Sequence, residues 1–256
     1  MLLPPRISSL SSVRRSFRAL ASSLVLALWA GSAAAAPPTL PAATASLLAK
    51  VVDAQGNVNY AALKRNPAEL QALLKRIDAF DAVAAKPADR EAFYLNAYNV
   101  LVIGEVVERY PLESVEKVPG FFDKNLVRVA GEQLTLNDLE TRKLRQPYAD
   151  PRVHFALVCG AKGCPRLSRT AYDGAQLDAQ LTAQARRVLQ DPTFIRVDAK
   201  ARKARLSQIF KWYEADFQAS GKTGVAYVNQ YRGSQIIPAT YAVDYYPYDW
   251  ALNNQK

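Results

Sequence analysis

The sequence predicts a single compact α+β domain, with a mixed or antiparallel sheet around a buried central helix. Half of the 256 residues are hydrophobic and 22% are charged, so the chain can bury a sizeable core. Helix-like and strand-like segments are mixed without regular βαβ repetition, which disfavours a doubly wound parallel sheet. One segment, residues 92–103, is apolar on nearly every side, as is typical of a helix at the centre of a domain.

The first 36 residues have the pattern of a cleaved signal peptide. Four arginines and no acidic residue precede a 13-residue apolar run, residues 19–31, and small residues follow it. This run is too short to span a bilayer comfortably, so we expect cleavage near Ala35 and no stable membrane insertion afterwards. Arg14 and Arg15 resemble the twin-arginine signature, but arginine pairs are common in ordinary leaders. The general secretory route to the periplasm is therefore favoured.

The rest of the chain is predicted to be a short linker, residues 37–46, followed by one globular domain, residues 47–256. Removal of the leader would leave 29 basic and 23 acidic residues, and this mild positive charge suits contact with anionic envelope surfaces. A nucleic-acid partner is not expected, because the compartment is wrong and basic residues are not interleaved with aromatic ones.

Local signals define the elements of the globular part in order. Asn66, Pro67 and Glu69 form a capped helix start, and leucines continue that helix at helical spacing. Pro87 opens the central helix, which is predicted to run from Asp89 to about Arg109. The later predicted elements are a strand over 126–129, a turn at 130–131, a short helix capped near 135–137, a central strand over 153–159, a helix over 175–189, a hairpin over 193–206, a helix over 207–217 and a strand over 241–246.

His154 is the only histidine in the chain. On the predicted strand it is buried, so its ring nitrogens need hydrogen-bond partners. A histidine in this position is either a satisfied core residue or a general base or orienting group in a reaction.

Cys159 and Cys164 flank a four-residue loop. Two cysteines this close in an oxidising compartment are expected to form a disulfide. Alternatively one of them is a nucleophile, and Cys164 is the better placed, since Lys162 could lower the pKa of its thiol. An ideal strand would put Cys159 on the face opposite His154. A zinc site would need His154, both cysteines and a carboxylate at a spacing that matches no recognised site, so neither a metal nor a cofactor is predicted.

Three further polar residues are candidates. Asn96 and Asn99 lie inside the apolar central helix, where an unpaired amide would cost roughly 1–3 kcal/mol. They either pin this helix to neighbouring backbone or orient a histidine, as the asparagine does in Cys-His-Asn hydrolases. Glu140 lies in the first turn of a predicted short helix, where the helix dipole stabilises acidic side chains. It could also orient a catalytic group.

Several segments of the chain resemble one known family, the domain of unknown function 547 family. The segment Ala92-Phe-Tyr-Leu-Asn-Ala-Tyr-Asn-Val-Leu-Val-Ile103 is similar to it, and so is the stretch from Asp150 through Cys164-Pro165. The resemblance implies a domain found in bacterial exported proteins and in plant proteins, but no activity. The remaining similar segments are residues 134–140, 144–145 and 248–253.

Two function hypotheses follow from these residues. The first is an exported envelope binding or structural module with a Cys159–Cys164 disulfide, which would take an unidentified envelope partner or a small molecule. The alternative is a thiol-dependent hydrolase or acyltransferase. Its nucleophile would be Cys164 or Cys159 and its base His154, while the candidate orienting groups are Asn96, Asn99 and Glu140.

Overall fold

Helices and two small sheets form the part of the chain that the computed structural model describes, residues 38–233 and 236–255. The predicted α+β class is confirmed, and residues from Pro38 onward form one compact unit. The helices are α1 (Leu40–Val51), α2 (Tyr60–Arg65), α3 (Ala68–Asp78), α4 (Pro87–Arg109), α5 (Leu136–Glu140), α6 (Gln146–Tyr148), α7 (Val153–Ala156), α8 (Leu177–Gln190), α9 (Ile209–Trp212), α10 (Glu214–Ala219) and α11 (Gly224–Arg232). The strands are β1 (Leu126–Val129), β2 (Glu132–Thr135), β3 (Ile195–Asp198), β4 (Lys203–Leu206) and β5 (Ala242–Tyr245).

The central helix α4 is buried along most of its 23 residues, as its apolar sequence predicts. Pro87 occupies its first turn, where the missing N–H of proline removes no helical hydrogen bond. The helix dipole stabilises the negative charge of Asp89 in the same turn. Helices α2 and α3 pack against it. Helix α4 therefore provides a rigid wall against which the later segments are positioned.

The two sheets match the mixed or antiparallel arrangement that the sequence predicts. Strands β1 and β2 form an antiparallel hairpin whose turn residues Ala130 and Gly131 both have positive φ. Strands β3 and β4 form a second hairpin, and β5 pairs with β4 in parallel. In this register Leu206 lies opposite both Ile195 and Tyr245.

The predicted central strand over 153–159 is wrong, because its first half is the helical turn α7. The Asp150 side chain accepts a hydrogen bond from the Arg152 N–H, and the N–H groups of residues 153–155 bond carbonyls only three residues back. The following segment is extended, but its partner is a side chain and not a strand. Asn99 accepts from the Val158 N–H at 2.9 Å and donates to the Ala156 carbonyl at 3.0 Å. Local bonds and one amide thus satisfy backbone groups that a sheet would otherwise pair.

Helix α1 begins at Leu40, within the segment 37–46 that the sequence analysis assigns to a linker. Thr39 caps this helix by accepting from the Ala42 N–H, and the proline at the second position fits the first turn. Thr44 is already buried, so the packed part of the chain starts earlier than expected. The predicted signal peptide lies outside the described residues. Of the helices that are described, none has the length and apolarity needed to cross a membrane.

The helix predicted over 207–217 is divided at Tyr213 into α9 and α10. Ser207 accepts a long hydrogen bond from the Ile209 N–H, 3.4 Å, in the position expected of its cap. Tyr213 leaves the helical region, with φ −112° and ψ 26°. This break turns the Tyr213 ring toward α7, which lies between two hydrophobic clusters. Val153 and Ala156 belong to the cluster around α4, whereas Phe155 packs with Phe194, Phe210 and Phe217 in the second cluster.

Candidate functional site

A cleft of about 370 Å³ brings together four of the six residues that the sequence singles out. Its walls come from α4, α5, α7, the segment 157–165, α9 and the residues after β5. The four candidates are Glu140, His154, Cys159 and Cys164. Asn96 and Asn99 do not line this cleft.

Both cysteines are free thiols, so the predicted disulfide is wrong. Their sulfurs are held by hydrogen bonds instead of a covalent bond. The Cys159 N–H donates to Cys164 Sγ at 3.0 Å, and the Tyr248 hydroxyl donates to the same sulfur at 3.1 Å. Cys159 Sγ lies 3.3 Å from that hydroxyl. The tyrosine hydroxyl therefore links the two thiols, and Cys164 is the sulfur on which the donors converge.

The two thiols differ in acidity because of this arrangement. Burial alone would raise the pKa of Cys164, but hydrogen bonds from Cys159, Tyr248 and the Ala161 backbone outweigh it and lower that pKa. The side-chain hydrogen bond to Cys164, together with burial, raises the pKa of the Cys159 thiol well above its ordinary value. The pair therefore favours a Cys164 thiolate beside a protonated Cys159.

The loop between the cysteines is anchored to the C-terminal segment. The N–H of Lys162 donates to the Ala251 carbonyl and that of Gly163 to the Asp249 carbonyl, both at 2.8 Å. A Cβ on Gly163 would lie 2.8 Å from the Tyr248 ring, so only glycine lets this ring lie against the loop. The Asp249 carboxylate accepts from the Ala251 N–H and forms a local turn.

His154 is buried and paired with a carboxylate that the sequence analysis missed. Its Nε2 lies 2.7 Å from Asp216 Oδ2, and Arg145 binds the same carboxylate through two nitrogens, at 2.7 and 3.1 Å. The bond to His154 and the Arg145 bonds outweigh burial and hold the pKa of Asp216 well below its ordinary value. The His154 ring also stacks on Tyr213, with 3.8 Å between ring centroids. Among the residues described, no hydrogen bond joins His154 to either sulfur.

Glu140 is buried beside Tyr213. Burial, the Glu140 charge and a hydrogen bond to Glu140 together raise the pKa of Tyr213 well above its ordinary value. Since Tyr213 also stacks on His154, its side chain contacts both Glu140 and the histidine.

The two buried asparagines bind backbone in the same way. Asn96 donates to the Tyr172 carbonyl at 2.8 Å and accepts from the Tyr172 N–H at 2.9 Å. Asn99 makes the matching pair with Ala156 and Val158. These bonds pin α4 to the two segments that follow it, and Asn99 fixes the backbone that connects His154 to Cys159.

Aromatic rings form the outer wall of the cleft. Trp212, Tyr248 and Trp250 lie in mutual contact, with centroid separations of 4.7 to 5.9 Å. Trp212 is 46% exposed, so this wall is accessible from solvent. Within the described ranges, no group of three or more His, Cys, Asp or Glu residues is placed to hold a metal ion.

Four residues of this arrangement were not identified from the sequence. Tyr213 and Asp216 lie in what is predicted as an ordinary helix, and no spacing connects them to His154, which is 62 residues from Asp216. Arg145 and Tyr248 fall within segments that carry the family resemblance, and this was their only signal.

The family model described as "Protein of unknown function, DUF547" matches residues 84–189. This match supports the resemblance seen in the sequence and includes all six candidate residues, but not Tyr213, Asp216 or Tyr248. No curated protein and no solved structure matches the chain.

Proposed function

We propose that this DUF547-like chain is a thiol-dependent hydrolase or acyltransferase with Cys164 as its nucleophile. The observation that supports this most strongly is the convergence of donors on Cys164 Sγ at the wall of an accessible cleft. Hydrogen bonds to a thiolate favour the charged form, and the thiolate is the nucleophile in acyl transfer.

The reaction would proceed through a thioester. The Cys164 thiolate attacks the carbonyl carbon of an amide or ester, a carbon–sulfur bond forms, and the carbonyl electron pair moves to oxygen. When this pair returns, the bond to the leaving group breaks and the leaving group takes a proton from the His154 imidazolium. Water or another acceptor then attacks the thioester, gives its proton to His154 and releases the Cys164 thiolate.

His154 is assigned this proton transfer because it lines the same cleft as Cys164 and is paired with an ionised carboxylate. Asp216 holds the ring orientation and stabilises the imidazolium, as the carboxylate does in serine and cysteine triads. Arg145 and Tyr213 are positioning residues, since they contact Asp216 and His154 and not the sulfur.

Cys159 and Tyr248 stabilise the thiolate. The raised pKa of Cys159 keeps its proton in place, so that its S–H and N–H groups and the tyrosine hydroxyl all donate to Cys164. Such preorganised donors lower the free energy of the charged sulfur without any rearrangement during the reaction.

The experiment is alkylation of the purified protein with iodoacetamide at several pH values, followed by trypsin digestion and mass spectrometry. Trypsin cleaves after Lys162 and separates the two cysteines, so each thiol has its own peptide. We expect Cys164 to react faster than free N-acetylcysteine at about pH 6, and Cys159 to react slowly. Reaction of Cys164 at or below the rate of N-acetylcysteine would overturn the proposal.

A second measurement tests acyl transfer itself. With p-nitrophenyl acetate we expect an acetyl group on the Cys164 peptide and a burst of p-nitrophenol that Cys164→Ser abolishes. Cys159→Ser serves as the matched variant, which must still acquire the acetyl group on Cys164.

A non-catalytic binding module of the cell envelope is the second candidate. The aromatic wall of Trp212, Tyr248 and Trp250 favours it, because exposed rings in contact are suited to stacking on a ligand. In this case Cys164 would be alkylated no faster than a free thiol, and ligands would quench tryptophan fluorescence without being converted.

The periplasm is the proposed location for either function, on the strength of the arginine-rich start and the apolar run 19–31. N-terminal sequencing of the protein from a periplasmic fraction should give a start near residue 36. A start at Met1 would contradict export with cleavage.

A further inference from the structure

A second cleft, of about 380 Å³, lies beside the first and shares Cys164 and Pro165 with it. Its other walls come from the turn at residues 55–57, the loop 161–166, α8 and the segment after β5. The aromatic cleft and this second, chemically different cleft thus meet at Cys164 and Pro165.

The second cleft is cationic. Four basic and two acidic side chains line it, and one acid, Asp191, is already paired with Arg166 at 3.0 Å. The basic side chains are those of Lys162, Arg166, Arg187 and Arg196. The other acid, Asp249, accepts a hydrogen bond from the Ala251 N–H through its carboxylate. The cleft therefore holds more positive charge than its own carboxylates neutralise.

Three of these cations have no carboxylate partner among the described residues. Lys162 and Arg187 form no ion pair there, and Arg196 lies over the Tyr246 ring, 4.9 Å from its centroid. Arg187 donates to the Arg166 carbonyl, which fixes its guanidinium near a second arginine. Partial burial and the charge of Arg166 lower the pKa of Arg187, so an anion beside it would be favourable.

At one wall of the cleft, two backbone segments, the turn at Gly56 and residues 166–167, lie in close contact. Gly56 has φ +84°, and a Cβ there would lie 2.7 Å from the Leu167 nitrogen. The turn at Gly56 therefore packs directly on the chain that follows Cys164 and Pro165. This close contact fixes the backbone of Arg166, one of the four basic residues, two positions after Cys164.

We infer that the second cleft is a carboxylate-binding subsite, so that the substrate of Cys164 is an amide or ester that carries a carboxylate on one side of the reacting carbonyl. The apolar part of the same substrate lies in the aromatic cleft. This inference rests on the proposed function of Cys164, because it assigns the cleft to the substrate of that thiol.

The test compares two alkylating reagents that differ only in charge, iodoacetate and iodoacetamide. For a free thiolate iodoacetate is the slower reagent, since like charges repel. In this protein we expect the rate ratio of iodoacetate to iodoacetamide at Cys164 to be about tenfold higher than for N-acetylcysteine. The double variant Arg187→Gln/Arg196→Gln should lower this ratio about fivefold, and added salt should lower it in the wild type.

The matched control is Arg65→Gln/Lys75→Gln, which removes the same charge from exposed positions on α2 and α3. This control should leave the ratio unchanged. A ratio equal to that of N-acetylcysteine, or an equal fall in both double variants, would overturn the subsite. Rapid iodoacetamide labelling of Cys164 with no preference for iodoacetate would remove the subsite and keep the proposed nucleophile, whereas slow labelling by both reagents would remove the nucleophile itself.

Discussion

Tyr248 donates its hydroxyl to the sulfur of Cys164 across 3.1 Å, although 84 residues separate them in the chain. The same ring packs against Gly163 and lines the cleft with Trp212 and Trp250. One side chain thus connects the acidity of the thiol to the shape of the site.

Tyr248→Phe keeps this ring and removes its hydroxyl. Because the hydroxyl favours the charged sulfur, its loss raises the pKa of Cys164 and moves the pH profile of alkylation to higher pH. We expect iodoacetamide labelling of Cys164 at pH 7 to slow about tenfold. Tyr246→Phe is the control, since the Tyr246 hydroxyl bonds the Thr193 carbonyl and neither sulfur. An unchanged profile in Tyr248→Phe would show that this bond does not set the acidity of the thiol.

Gly163→Ala places a Cβ 2.8 Å from the Tyr248 ring, so the ring must move away from the loop. The expected result is slower labelling of Cys164, with the fold retained as judged by circular dichroism. Gly104→Ala in α4 is the comparison, because its Cβ would meet only the end of the Leu74 side chain. Equal labelling rates in the two variants would mean that the loop tolerates a side chain here.

Asn99→Ala removes both hydrogen bonds that hold residues 156–158 against α4. A buried N–H and a buried carbonyl are then left without partners, so the free energy of unfolding should fall by about 2–4 kcal/mol. Urea denaturation measures this loss, and the exposed Asn66→Ala provides the reference. A change of similar size in both variants would contradict the pinning role.

Asp216→Asn tests the pair with His154 through the pH dependence of stability. The pKa of Asp216 in the folded protein lies well below its ordinary value, so its contribution to stability is present above about pH 4 and is lost as the pH falls through the lowered pKa. The variant should therefore be less stable than wild type at pH 6, and the gap should narrow toward pH 3. Asp123→Asn is the control, because it removes the same charge from an exposed position. A constant gap for Asp216→Asn would refute the assigned pairing.

Elements defined by neighbouring residues were predictable from the sequence. Thr135 caps α5 through the Asp138 N–H as its motif indicates, and Pro87 opens α4. The hairpin predicted over 193–206 is formed by β3 and β4, and the strand predicted over 126–129 is β1, which is followed by its predicted turn. In each case the bonds that stabilise the element are made within a few residues.

Elements that depend on distant partners were not predictable. Residues 153–159 have the apolar composition of a buried strand, but Asn99 satisfies their backbone in place of a second strand. The carboxylate that pairs with His154 belongs to Asp216, which lies in α10 just after the helix break at Tyr213. His154 and Cys164 were found because the chain has only one histidine and two cysteines. Tyrosine, arginine and aspartate are common residue types, so Tyr213, Arg145 and Asp216 carried no comparable signal.

The anchoring of the loop by the C-terminal segment has a consequence for biosynthesis. Both cysteines leave the ribosome long before Tyr248 and the carbonyls of Asp249 and Ala251, which hold the loop. A growing chain, or one that stops short of this segment, therefore contains the thiols without the donors and anchors that make one of them acidic. The Tyr248 hydrogen bond that helps to lower the pKa of Cys164 can therefore form only after residues 248–251 have been synthesised.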